Sequence, residues 1–225
     1  TQTSLDNPVI TLLSSSHPTT SSGYNNEYHA ASVNLVLLLI SGSSTLSAST
    51  GTNIGHDVAS TNAVISIIGA STLTGAVNVY VSGTITGMQF LVSGVGTSLT
   101  STSAGFVTAN GITTLSVSIM SNAVSSSAGR NWLFSGSSTI TGVSMVITSA
   151  AQITSSGGDN VLFSSTGSVL GTSISVAAAT MTSGSSYASS ANVGFAASVV
   201  SVKSLQVFFV SAARITTVGG LGNVY

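Results

Sequence analysis

Four carboxylates, three histidines and three cations are nearly all the ionisable chemistry that this 225-residue chain holds. The carboxylates are Asp6, Glu27, Asp57 and Asp159, and no two occupy equivalent positions of neighbouring repeats. Glycosidic hydrolysis needs two carboxyl groups held about 5–10 Å apart, and nothing in this spacing supplies such a pair. His56 and Asp57 are adjacent, which pairs a base with a candidate orienting carboxylate. Neighbouring residues of a strand point to opposite faces, so the two do not cooperate and read as a solvated loop. His17 and His29 have no partner at a zinc-ligand spacing, and the chain has no cysteine. Gly157-Gly158-Asp159-Asn160 has the composition of one fragment of a glycine-rich calcium loop, which must repeat on stacked turns to complete an oxygen shell. It occurs once, so it reads as a turn with Asp and Asn in left-handed positions. The expectation is a protein without catalytic residues, metal or cofactor.

Three further groups bear on binding. Arg130 and Trp132 stand at alternate positions, where a strand would set a cation and the sole tryptophan on one face as a sugar-stacking platform. Asn131, Asn160, Asn192 and Asn223 each lead into an apolar run, and are expected to stack as a structural ladder of amides at a turn. The pairs Thr72/Thr74, Thr84/Thr86 and Thr139/Thr141 resemble the Thr-x-Thr face of solenoid ice-binding proteins. Such a face needs the pair on nearly every rung, and Ser168-Val-Leu and Val200-Ser-Val stand where later pairs are expected.

Composition narrows the class. Charged residues make up 3% of the chain against an ordinary value of about 25%, while Ser and Thr supply about a third. Its surface is therefore hydroxylated rather than ionic. Mucin-like stalks share the hydroxyls but carry many prolines; here there are two, and Val, Ile, Leu and Ala are interleaved throughout. Lys203, Arg130 and Arg214 are too few to neutralise a nucleic-acid backbone or dock on anionic lipid. The longest apolar run, Val33 to Ile40 interrupted by Asn34, is far short of the roughly 20 residues of a membrane-spanning helix. None of the thirteen asparagines stands in an N-glycosylation sequon, which leaves the hydroxyls for O-glycosylation.

Repetition then sets the fold. Strand-like runs begin at Met88, Leu115, Val143, Thr172 and Lys203, with Ala63 and Val33 at similar offsets. A second series in another phase comprises Asn78-Val-Tyr-Val, Gly105-Phe-Val, Asn131-Trp-Leu-Phe, Asn160-Val-Leu-Phe, Asn192-Val-Gly-Phe and Asn223-Val-Tyr. Ser71-Thr-Leu-Thr-Gly, Gly83-Thr-Ile-Thr-Gly, Ser138-Thr-Ile-Thr-Gly and Gly167-Ser-Val-Leu-Gly read as a short third strand. One unit is then an Asn-led strand, a short hydroxyl-rich strand, a longer alternating strand and a Ser/Gly loop. In Leu115-Ser-Val-Ser-Ile the apolar residues face one way and the serines the other, as one buried face requires. The prediction is an all-β, right-handed parallel β-helix of about seven rungs of about 27–31 residues, three strands per rung.

Residues 1–32 hold both prolines and two of the three histidines, and are expected to form an irregular cap or degenerate rung before repeats spanning 33–225. The repeat breaks off at Asn223-Val-Tyr225 just as a strand begins, which predicts continuation or end-to-end stacking. The Asn-Val-x-Phe, Ser-Thr-Ile-Thr-Gly and Val-Ser-x-Val-Ile-Thr phrases over 33–225 resemble, in repeat style, the stalks of autotransporter-type adhesins and the Ser/Thr/Val-rich surface proteins of kinetoplastid protists. That resemblance implies an extracellular or cell-surface scaffold of a coat, adhesin stalk or filament. A carbohydrate-binding adhesin, an ice-binding solenoid and the non-catalytic part of a polysaccharide-active enzyme are the alternatives. Self-association through solenoid ends and a glycan or cell-surface ligand are the partners expected, without nucleic acid or a transmembrane segment.

Overall fold

A computed structural model describes residues 9–12, 19–20, 24–28, 32–33, 37–56, 59–184, 191–196, 198–218 and 222–224. Among them there is no helix; short strands stack in parallel, coil upon coil, into a β-solenoid. One face is a sheet of 8 strands, Val9–Leu12, Leu37–Ile40, Ala63–Ile68, Met88–Ser93, Leu115–Met120, Val143–Thr148, Ser173–Ala177 and Gln206–Val210. The rung count on this face is thus slightly above the seven expected. A sheet of 13 strands wraps the next two walls, and a third face carries only short pairings. Those are Ser32–Val33 on Ala59–Ser60, the bridges Ile85 to Ile112 to Ile140, and Ile140–Thr141 on Ser168–Leu170 on Ser201–Lys203.

Each rung alternates as its sequence does. In Met88–Ser93 and Leu115–Met120, residues 88, 90, 92, 115, 117 and 119 are buried and the residues between them are not. Partners stack directly, Phe90 over Val117 and Val92 over Ile119, so the core is a set of columns running along the axis. Parallel pairing lets each rung satisfy the backbone groups of the next, which is why sequences this poor in charge and helix formers settle into strands. Aromatic rings concentrate in the middle rungs: Phe134 stacks on Phe163 at 5.0 Å and Phe163 on Phe195 at 5.1 Å.

Several sequence assignments need a change of phase. Val33 belongs to the third face, and the strand of the eight-stranded sheet starts at Leu37. A run apolar at every position but Asn34 carries no alternation to mark where the strand starts. Lys203 likewise ends a third-face strand, with the next strand of the large face beginning at Gln206. Ser71-Thr-Leu-Thr-Gly lies in the 13-stranded sheet, whereas Gly83-Thr-Ile-Thr-Gly and Ser138-Thr-Ile-Thr-Gly meet on the third face. Rung spacing also ranges more widely than expected, from 25 residues between Ala63 and Met88 to 34 between Thr180 and Arg214.

The largest correction concerns the Ser/Gly loop. Val124–Ser127, Gln152–Ser155 and Thr180–Ser183 are strands of the 13-stranded sheet, in register with the first halves of Thr72–Val81 and Ser98–Thr108. A rung therefore has four strand segments rather than three and a loop. Ahead of this segment, Ser121 and Asn122, Ser149 and Ala150, and Ser211 and Ala212 all take positive φ. Each pair is closed by a backbone bond across it, as from Ala151 N–H to Thr148 C=O, which makes three type I′ turns; between the second and the third, ahead of Thr180–Ser183, Ala178 alone takes positive φ, and the third precedes Arg214–Thr217. Val9–Leu12 pairs with Leu37–Ile40, and Thr19–Thr20 and Tyr24–Tyr28 pair with Thr45–His56, so part of the first 32 residues lies in rung positions.

Candidate functional site

The 13-stranded sheet turns its corner at the asparagines. Asn131 and Trp132 are consecutive and both buried, as are Asn160 and Val161 and Asn192 and Val193, so the chain bends where the Asn stands. The buried amides join end to end: Asn131 Nδ2 donates to Asn160 Oδ1 at 2.8 Å, and Asn160 Nδ2 to Asn192 Oδ1 at 2.7 Å. Each also ties down a neighbouring strand, Asn131 Nδ2 donating to Thr154 C=O at 2.7 Å and Asn192 Nδ2 to Thr216 C=O at 3.0 Å. Asn53 and Asn78 form a second segment at 2.8 Å, with Asn53, which no sequence pattern had marked, as donor. Gly105 separates the two segments, because a Cβ there would sit 2.7 Å from the Asn131 carbonyl oxygen. The side chain of Asn223 lies outside the described residues, although Gly222–Val224 pairs with Ala191–Phe195 in the matching register.

The sugar platform is not formed. Trp132 is 1% exposed, and its indole lies 5.4 Å from Phe90 and 5.1 Å from Phe106 inside the core. Its partner in the column is Phe106 and the next is Val161, both inward positions. Arg130 instead leans outward, with Nε 3.7 Å from Asp159 Oδ2. Asp159 Oδ1 accepts the Ala191 N–H at 2.7 Å. Burial raises the Asp159 carboxyl above the usual carboxylate range, while the Ala191 bond and the Arg130 charge hold it down in part. Both carboxylate oxygens of the Gly157-Gly-Asp159-Asn160 turn thus face groups of the protein. Among the described residues no cluster of three or more His, Cys, Asp or Glu stands ready for a metal. The side chains of Asp6, His17, Glu27, His29, His56 and Asp57 lie outside the described residues.

A groove of about 300 Å³ runs beside the starts of the large-face strands, lined by Asn62, Met88, Gln89 and Thr114 among others. It has no ionisable lining residue.

The hydroxyls are ordered differently on different walls. On the first half of the 13-stranded sheet one outward column reads Ser47, Thr74, Thr100, Ser126, Thr154, Thr182 and Thr216, each in direct register with the next. Backbone pairing places Thr19 at the same register before Ser47. Two residues earlier on each strand a parallel column reads Thr45, Thr72, Ser98, Val124, Gln152, Thr180 and Arg214. Ser126 Oγ lies 3.4 Å from Thr100 Oγ1, which in turn lies 3.5 Å from Ser98 Oγ. On the eight-stranded face the equivalent column reads Leu39, Ser66, Leu91, Ser118, Val146, Ser175 and Phe208. Across the asparagine corner it is apolar, with Tyr80, Val107, Leu133 and Leu162. Thr84/Thr86 and Thr139/Thr141 are on the third face, and it is there that Ser168-Val-Leu stands in register. The break in the Thr-x-Thr pattern therefore belongs to a different wall from Thr72/Thr74.

The chain matches no protein-family model, no curated protein and no solved structure.

Proposed function

We propose that this chain is a non-catalytic structural repeat protein, displayed outside the cell, whose solenoid is extended end to end by a second copy. The observation that carries this reading is Phe209: among the described residues it stands over Val176 in the inward column and is 37% exposed where Val176 is 0% exposed, so a further parallel rung laid on it would bury it. Head-to-tail contacts of this kind do not close on themselves and so build filaments. The buried polar side chains of the corner are spent on rung-to-rung bonds, which is the economy of a scaffold. A hydroxylated surface nearly free of charge and the style of the repeats support display at a cell surface.

Light scattering and electron microscopy over a concentration series test this. Filaments that lengthen with concentration and disappear in Phe209→Asp are expected, with a meridional repeat of about 4.8 Å. Strictly monomeric protein at the highest concentrations refutes the reading.

A further inference from the structure

The central outward column of the eight-stranded face alternates in character from rung to rung. It reads Thr11, Leu39, Ser66, Leu91, Ser118, Val146, Ser175 and Phe208, each in direct register with the next. A large apolar side chain therefore recurs at every second rung, about 9.6 Å apart, with a hollow at the short hydroxyl residue between. No residue of these eight strands is ionisable. Leu37, Val146, Phe208 and Val210 point out of the sheet and are exposed, so the face offers apolar surface with no charge to desolvate.

Relief of this kind is complementary to itself. Large and small residues set opposite one another let two packed sheets interdigitate across about 10 Å. Consider a two-fold axis between two such sheets, parallel to the strands and midway between the rungs of Met88–Ser93 and Leu115–Met120. It opposes the two solenoid axes and sets Leu91 of one copy over Ser118 of the other, Ser66 over Val146, Leu39 over Ser175 and Thr11 over Phe208. Over these eight rungs every apolar residue of the column meets a hydroxyl one. A two-fold that kept the solenoid axes parallel would set Leu91 on Leu91 and hold the sheets apart. The groove lies at the same axis: it opens beside Val64, Gln89 and Ser116, and the antiparallel pairing brings Gln89 of each copy over Ser116 of the other. Eight strands about 4.8 Å apart and about five residues long make a rectangle of roughly 34 by 17 Å, so two copies bury on the order of 1,200 Å² before side-chain relief is added, which reaches the range of specific dimers. The geometry points to a second copy of this chain as the occupant of the eight-stranded face, paired face to face with its solenoid axis opposed. Such an isologous contact closes on itself. It uses a wall rather than an end, and stands whether or not the solenoid is extended.

Analytical ultracentrifugation over a concentration series tests this in the parent chain and in Phe209→Asp, which blocks end-to-end growth and leaves the central column intact. A species of twice 22.1 kDa is expected in Phe209→Asp. Leu91→Lys buries an unpaired charge and Ser118→Leu fills a hollow, so each should raise the dimer dissociation constant about tenfold or more. Thr74→Lys, exposed on the 13-stranded sheet, should leave it unchanged. Because the chain has no cysteine, Leu39→Cys combined with Ser175→Cys reads the arrangement directly and does not depend on the lysine variant folding. Those two positions face each other across the dimer but lie five rungs, about 24 Å, apart within one chain. Oxidation should give a covalent dimer from the double variant and from neither single variant. Monomer at every concentration overturns the inference, as does a tighter dimer in Ser118→Leu, which a merely sticky face would show. Cross-linking of a single variant, or none in the double variant, overturns it as well. Dimers without filaments support it and refute only the end-to-end reading, whereas filaments in the parent with monomeric Phe209→Asp do the reverse.

Discussion

Asn160→Ala is expected to weaken the solenoid at its middle rungs. Asn160 is fully buried, and its amide carries both links of the ladder, accepting from Asn131 and donating to Asn192. Truncation removes both bonds and leaves one N–H of Asn131 and the Oδ1 of Asn192 without those partners. Asn131 keeps its bond to Thr154 C=O and Asn192 its bonds toward Thr216 and Thr217, so the loss is partial. With about 1–3 kcal/mol for each buried group left short, the cost is roughly 2–4 kcal/mol. In a chain of this length that lowers the melting temperature by about 5–15 °C. Trp132 lies next to Asn131 and is the only tryptophan, so urea unfolding followed by its fluorescence reads these rungs directly. Far-ultraviolet dichroism reads the whole. The single variants Asn131→Ala and Asn160→Ala break the same hydrogen bond, so the double variant should cost less than their sum by about 0.5–3 kcal/mol. A cost for Asn160→Ala under about 0.5 kcal/mol, or strict additivity in the cycle, would refute the ladder as a source of stability.

Other outcomes follow from the same geometry. Trp132→Ala should cost about 3–5 kcal/mol by opening a core cavity, whereas Trp132→Phe should cost under about 1.5 kcal/mol, both read by denaturant unfolding under circular dichroism. The indole Nε1 is buried with no hydrogen-bond partner among the described residues, so the smaller ring also relieves an unmet donor. Ala150→Gly should stabilise by about 0.5–1 kcal/mol, since Ala150 sits at φ 61° in a type I′ turn where a Cβ is strained; a lower melting temperature would count against it. For Asp159 the folded carboxyl is raised, so the native state binds the proton more tightly than the unfolded chain. Stability from this group is highest below the ordinary carboxylate pKa and falls as pH rises through the raised folded value. In Asp159→Asn that step should vanish from a melting-temperature profile across acid to neutral pH. Gly105→Ala should destabilise, because its Cβ would press on the Asn131 carbonyl oxygen.

Much of this architecture is legible in the sequence. Alternation in Leu115-Ser-Val-Ser-Ile and the recurrence of Asn before Val-x-Phe expose an all-β repeat, but Asn131, Asn160 and Asn192 stand at the corner for their buried side-chain amides, none of them taking the positive φ that their backbone tolerance suggested. The strand carrying the hydroxyl wall was not legible. Ser125 occupies an inward position otherwise held by Leu73, Leu99, Ile153 and Met181, so Val124-Ser-Ser-Ser shows no alternation and reads as a loop. A serine can face inward there because Ser125 Oγ donates to Asn131 Oδ1 at 2.9 Å, a partner six residues on that local sequence does not announce.

The sequence by itself determined that residues of the alternating runs, such as Leu115-Ser-Val-Ser-Ile, face in and out in turn, because a strand's two-residue period is a property of the chain alone. It also determined that the surface would be hydroxylated and that most rungs would carry an Asn at one bend. Only the tertiary structure decided which outward residues become neighbours. That depends on how many residues each turn consumes before the next rung lies down, and rung lengths here vary from 25 to 34. Backbone pairing between rungs absorbs the variation in the turns and brings Thr74, Thr100, Ser126 and Thr154 into one column. The same pairing sends Thr84/Thr86 to another wall and draws Trp132 into the core. Side-chain type is written along the chain, whereas a surface lattice is written across it.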